Sequence, residues 1–142
     1  MRALLLCFFI AASVCGNGAD IRIEGKSILA DNDGEEIFIG LLAEYDDPFF
    51  GFGVTYSFSP DESALAYIGE EDGGFGLHLY QSGAPSSSYL PAFGEITGRT
   101  QPKWSPDGSF LVYSAGSRIW VYDVENRDAW IVTEPSEEYL ED

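Results

Sequence analysis

The chain has 142 residues, room for one domain, and carries 24 acidic against seven basic residues, a formal net charge of −17. A surface this acidic repels nucleic acid and anionic lipid, and no basic stripe offsets it, so a nucleic-acid-binding role is excluded. One histidine and two cysteines are too few for a metal cluster built on those ligands.

Residues 1–19 read as an export leader rather than folded protein. Arg2 supplies the positive n-region, and Ala3 to Val14 form an apolar core too short to span a bilayer. Small residues (Gly16, Gly18, Ala19) precede the first acid, Asp20. Cleavage after Ala19 leaves six basic residues against 24 acidic, a net charge of −18, and removes both Cys7 and Cys15. The domain is then expected to hold by packing alone, without disulfides or thiol chemistry. A periplasmic or secreted location follows, with no membrane span. Cys15 offers an alternative, a lipid-anchored N-terminus, because Ala12-Ser13-Val14-Cys15 loosely resembles a lipobox. Val14 beside the cysteine is unfavourable there.

Residues 20–53 are expected to hold a partial first repeat and a connector. Ser27 to Ala30 and Glu36 to Leu42 are apolar runs rich in strand formers, and Asp31-Asn32-Asp33-Gly34-Glu35 between them has β-hairpin turn chemistry. Asp31, Asp33 and Glu35 invite a calcium reading, but an EF-hand loop needs glycine sixth and glutamate twelfth. Here glycine comes fourth and Leu42 stands twelfth, so a plain turn without metal is expected. Residues 43–53 read as a connector of mixed character, whose Phe49, Phe50 and Phe52 either fold over the core or form an exposed patch.

The segment 54–100 reads as four short strands. Val54 to Phe58 alternates, a turn follows at Ser59-Pro60-Asp61-Glu62, and a strand runs from Ser63 to Ile68. Glu70 to Gly74 reads as a loop, Phe75 to Tyr80 as a strand, and Tyr89 to Phe93 as an outer strand weakened by Pro91. The segment 101–133 repeats the pattern: Gln101 to Ser105, a turn at Pro106 to Gly108, then Phe110 to Tyr113, Arg118 to Tyr122 and Ala129 to Thr133. Residues 134–142 form an acidic tail. Helical spacing persists nowhere, so the fold class is all-β.

Phe58-Ser59-Pro60-Asp61 recurs as Trp104-Ser105-Pro106-Asp107-Gly108, every position displaced by 46 residues. A repeat of this length built from short strands points to a propeller or solenoid. Pro fixes φ for the turn, Asp bonds neighbouring backbone amides, and Gly108 takes the positive φ that ends it. Phe58 and Trp104 serve as bulky plugs between neighbouring sheets, and Ser59 and Ser105 read as turn-closing hydroxyls rather than nucleophiles. Sliding the N-terminal hairpin by 92 residues lays Asp31 on Asp123 and Phe38-Ile39 on Trp130-Ile131. On that register the N-terminal piece is the last two strands of a repeat.

Gln101-Pro102-Lys103-Trp104-Ser105-Pro106-Asp107-Gly108, then Leu111-Val112-Tyr113, Ile119-Trp120-Val121-Tyr122-Asp123 and Trp130-Ile131-Val132-Thr133, is similar to a TolB-type WD-like β-propeller repeat. The copy at 54–100 matches more loosely, with Glu62 in place of the turn glycine. The resemblance covers about 54–133 and implies an incomplete β-propeller of four-stranded antiparallel blades packed around an axis. Propellers use about four to eight blades, and this chain holds fewer than three. Closure of a ring by identical copies, a fragment of a longer protein, and an open stack are all compatible with that count.

The catalytic inventory is thin. His78 alternates with Leu77 and Leu79 on one strand, which suits a surface or inter-blade position. No Gly-x-Ser-x-Gly elbow and no glycine-rich phosphate loop occur, and paired carboxylates carry no information among 24 acids. No catalytic residue and no cofactor are expected. The expected function is an exported, non-catalytic module that binds a protein or other ligand through its loops, with a basic or amphipathic partner favoured. The competing readings are an accessory propeller fragment of an exported peptidase and a truncated remnant without retained function.

Overall fold

The computed structural model describes residues 20–47, 51–71, 74–91, 96 and 100–132. The expected leader, Phe49, Phe50 and the acidic tail lie outside the described residues, as does the side chain of Phe52. Thirteen strands and no helix occur among the described residues. They form a three-stranded, a two-stranded and two four-stranded sheets, every one a sequential antiparallel meander.

The first sheet contains β1 (Ile21–Glu24), β2 (Ser27–Asn32) and β3 (Glu35–Leu41). Its β2–β3 turn is Asp33-Gly34, with φ of 52° and 82°. A two-residue hairpin turn of type I′ needs positive φ at both central residues, which Asp tolerates and Gly adopts freely. β4 (Glu44–Asp47) and β5 (Gly51–Val54) pair as a hairpin of their own, where the sequence suggested an irregular connector. The central sheet is β6 (Tyr56–Phe58), β7 (Ala64–Glu71), β8 (Gly74–Gln81) and β9 (Ser88–Tyr89). β7 and β8 stay paired out to Glu71 and Gly74, so Glu70 and Glu71, expected in a loop, are strand residues, while Asp72 lies outside the described residues. β9 stops at Tyr89, because Pro91 has no amide to extend the ladder. The third blade is β10 (Lys103–Trp104), β11 (Phe110–Ala115), β12 (Arg118–Asp123) and β13 (Asp128–Ile131).

The central sheet is buried on both faces. Ala64, Ala66, Ile68, Leu77 and Leu79 share one apolar cluster with Leu111, Tyr113, Trp120 and Tyr122 of the third blade. The alternate residues of the same strands, Leu65, Tyr67 and Tyr80, pack with Ile28 and Ala30 of the first sheet. The period of two thus sends successive β7 side chains into two different cores. Each fully buried Leu, such as Leu65 or Leu111, contributes about 2 kcal/mol of apolar burial. The first sheet continues into the central one through a bridge between Leu42 and Gly69 and a bond from the Ala43 amide to the Ile68 carbonyl.

Leu65 pairs with Tyr80 as Leu111 pairs with Tyr122, so the two four-stranded sheets are equivalent blades. The N-terminal sheet fits them differently from the sequence reading. Gly25 and Gly116, with φ of 64° and 61°, occupy the same turn between paired Glu24–Ser27 and Ala115–Arg118. The matching displacement is 91 residues over β1 and β2 and 93 over β3, not 92 throughout, so Ile37 rather than Phe38 takes the place of Trp130. A one-residue slip exchanges the two faces of a strand. With β1 present, the N-terminal sheet is the last three strands of a blade, not the last two. The molecule is therefore a stack of propeller-type blades that does not close on itself among the described residues.

Candidate functional site

The two Ser-Pro-Asp corners have the same geometry. Ser59 Oγ donates to Asp61 Oδ1 at 2.8 Å and accepts from the Ala64 amide at 3.0 Å. Ser105 Oγ donates to Asp107 Oδ1 at 2.8 Å and accepts from the Phe110 amide at 2.9 Å. The Ser63 and Ser109 amides each donate to the corner aspartate at 3.0 Å. The turn closes through Glu62 N to Ser59 O and Gly108 N to Ser105 O, with φ of 62° at Glu62 and 76° at Gly108. Pro60 and Gly108 are neighbours in space: a Cβ on Gly108 would sit 3.7 Å from Pro60 Cδ. The corners thus lie side by side in adjacent sheets.

The leading aromatics differ in their tasks. Trp104 donates its indole N–H to the Ser57 carbonyl of β6 at 2.9 Å and packs on the cluster between the central sheet and the third blade. Phe58 packs on the cluster between the first and central sheets, edge-on to Tyr56. Each aromatic therefore sits in the seam preceding its own blade.

Chemically the corners are clamps. The Ser63 hydroxyl, then the Ser63 amide and the Ser59 hydroxyl, hold Asp61 below the usual carboxylate range. The Ser109 amide and Ser105 hydroxyl do the same for Asp107. A carboxylate stabilised as an anion is a weak base, so the corner aspartates do little to activate the Ser59 and Ser105 hydroxyls. Asp123 caps the β12–β13 turn by accepting from the Glu125 and Asn126 amides, both at 3.1 Å.

His78 stacks on Tyr67, ring centroids 4.9 Å apart and 9° from parallel, and meets Tyr89 at 4.5 Å. The three rings form one cross-strand row, since His78 pairs with Tyr67 on one side and Tyr89 on the other. A Cβ on Gly69 would lie 2.9 Å from His78 Nε2, so glycine makes room for the imidazole. The Tyr67 hydroxyl meets Ser87 Oγ at 2.8 Å. In the next seam Tyr113 donates to the Pro91 carbonyl, and burial pushes its phenol up in pKa. These aromatics act in packing. Among the described residues no group of three or more His, Cys, Asp or Glu side chains is placed to hold a metal ion.

Two surfaces remain as interaction candidates. In each four-stranded meander the first and third connections lie at one end and the second at the other. Asp33, Asp61, Asp107 and Glu125 belong to connections at the first of these ends, and Asp31 and Asp123 lie at the strand ends that lead into them. There the β2–β3 and β8–β9 turns border an open cleft of about 420 Å³ lined by Asp20, Asp31, Asp33 and Ser82. A second cleft of about 430 Å³ lies between Gln81, Asp107, Asp123 and Glu125. The other surface is the outer face of the third blade, where Phe110, Val112, Ile119 and Trp130 are exposed and Phe110 meets Trp130 edge-on. Sequence reasoning missed this face, although Val112 and Val121 alternate with the core residues of their own strands.

No family model matches the chain, and no curated protein matches it. Among solved structures, TolB from Acinetobacter baumannii is similar over 82% of this chain and 29% of its own, at 19% identity and a TM-score of 0.49. A TolB candidate from Agrobacterium tumefaciens is similar over 85% of this chain and 47% of its own, at 17% identity and a TM-score of 0.46. Porphyromonas gingivalis dipeptidyl peptidase 4 is similar over 84% of this chain and 20% of its own, at 15% identity and a TM-score of 0.44. The chain spans less than half the length of each of these structures. Two of the three carry the TolB name, that of the repeat which residues 54–133 resemble.

Proposed function

We propose that the chain is an exported, non-catalytic β-propeller-type module that binds a protein partner through a basic or amphipathic segment at its acidic turn end. The observation that carries this reading is the gathering of Asp31, Asp33, Asp107, Asp123 and Glu125 around two adjoining clefts. With a chain charge of −17, the field at this end attracts cations and accelerates encounter with a basic segment. Rigid sheets present the turns, the usual division between scaffold and recognition loop. The Arg2-led apolar stretch at 1–19 supports export to the periplasm or beyond.

The test uses a fluorescent lysine-rich amphipathic peptide and a glutamate-rich control of equal length, titrated with the full chain. The basic peptide binds and weakens as salt rises, because the Debye length falls to about 8 Å at physiological ionic strength. Asp31→Asn with Asp33→Asn and Glu125→Gln weakens it further without touching the corner clamps. Equal binding of both peptides, or indifference to the three substitutions, overturns the reading.

A further inference from the structure

The outer face of the third blade exposes positions that the central sheet buries, and the first sheet, at the other end of the chain, does the converse. Phe110 and Val112 stand where Ala64 and Ala66 stand in the central sheet, and Ile119 and Val121 where Leu77 and Leu79 stand. In the central sheet those positions are buried, every one of them against the third blade. In the third blade Phe110, Val112 and Ile119 are instead exposed, with Trp130 at 44% beside them.

The first sheet shows the converse. Leu29 pairs with Phe38 as Trp120 pairs with Ile131, and Trp120 and Ile131 form part of the packing between the third blade and the central sheet. Ile28 and Ala30, flanking Leu29, point into the central sheet, so Leu29 and Phe38 point away from it. Phe38 is 59% exposed and Leu41 is exposed, and Arg22, on the same face as Leu29, pairs with Glu24 of its own strand and with Glu36 of β3. Apolar side chains therefore persist at the positions a blade uses to meet the blade before it.

We infer that the outer face of the third blade docks on the outer face of the first sheet of a second copy, head to tail, repeating the seam found between the central sheet and the third blade. Continuity with that seam identifies the occupant: the missing half is present on the same chain but faces the wrong way to be reached from within it. Such an interface is heterologous, and each added copy leaves one open face of each kind unless the ring closes. Two copies bring six blade sheets, within the about four to eight that propellers use. The contact sets Leu29 and Phe38 beside the Arg22 ion pairs and joins two acidic bodies, so added salt, which screens the repulsion between them, strengthens it. This is the reverse of the dependence expected for a basic partner at the turn end, and the two readings fail separately.

The experiment is multi-angle light scattering of the full chain across concentration and salt, with Phe38→Glu and Trp130→Glu. The expected wild-type mass exceeds 15.6 kDa and rises with concentration. Each variant shifts the dissociation midpoint at least about thirtyfold, as loss of a central aromatic anchor does. An equimolar mixture of the two variants recovers a pair, because one intact donor face still meets one intact acceptor face. A wild-type chain that stays monomeric at about 100 μM, a concentration of ordinary structural work for weak pairs, overturns the inference without reliance on any variant. Assembly disturbed by Trp130→Glu but not by Phe38→Glu overturns it equally, since that is a symmetric contact. Circular dichroism matching wild type confirms that each variant, altered at an exposed site, is folded.

Discussion

Replacing Ser59 and Ser105 in turn by alanine gives an internally controlled test of the corner clamp. Both hydroxyls make the same two bonds, to an aspartate Oδ1 at 2.8 Å and from an amide at 3.0 or 2.9 Å. The difference is burial: Ser59 and Ala64 are 4% and 5% exposed, whereas Phe110, whose amide Ser105 receives, is 38% exposed. After Ser59→Ala the Ala64 amide is left buried without its hydroxyl partner, at a desolvation cost of about 1–3 kcal/mol. After Ser105→Ala water reaches the Phe110 amide, and the loss falls to the net value of a bond, about 0.5–1 kcal/mol. Urea unfolding followed by tryptophan fluorescence measures both, with unchanged m-values required. Ser59→Ala is expected to cost about 2 kcal/mol and Ser105→Ala at most about 1 kcal/mol. Equal costs, or the reverse order, refute the claim that burial sets the value of this clamp.

Glu62→Gly relieves a left-handed backbone at φ 62° and is expected to stabilise by about 0.5–1 kcal/mol after the added unfolded-state freedom. Gly108→Ala at φ 76° is expected to cost about 1 kcal/mol, both read from urea midpoints. Gly69→Ala puts a methyl 2.9 Å from His78 Nε2 inside a buried strand and is expected to cost about 1–3 kcal/mol by overpacking, with the thermal midpoint as the measure. Asp61, Asp107 and Asp123 all titrate below the ordinary carboxylate range in the folded state. Their contribution is therefore complete above the unfolded value of about 3.9 and disappears as pH falls through the lower folded values. Thermal midpoints measured from pH 6 to pH 2 should drop below about pH 4, and Asp61→Asn with Asp107→Asn should flatten that drop.

Local chemistry made much of the fold readable. Asp33-Gly34 announced a hairpin because few residue pairs accept two successive positive φ values, and both corners kept the Ser, Pro and Asp that their bonds use. β1 escaped notice because Ile21 and Ile23 alternate with charged Arg22 and Glu24 over only four residues. Its burial depends on the central sheet, which no local pattern reveals. The β4–β5 hairpin was hidden by the acids and glycines of its strands, which have low strand propensity and pair through the backbone. Register was the subtlest loss: similar residues at Phe38-Ile39 and Trp130-Ile131 suggested 92, whereas the turn glycines set 91 for β1 and β2 and the strand pairing sets 93 for β3. The turn-end acids were visible one by one in the sequence. Their convergence, and the exposed apolar face of the third blade, required knowing which strand ends and which strand faces point the same way.

Because β7 sends side chains into two cores, its amides from Leu65 to Ile68 reach solvent only when a flanking sheet departs. In the isolated chain deuterium uptake should therefore begin in the first sheet and the third blade, the two ends of the stack, and reach the middle of β7 last, at the rate of whole-molecule unfolding. A protease finds its first openings at the same two extremities. Wear starts at the ends of such a pile, and its centre is lost only when everything else has gone.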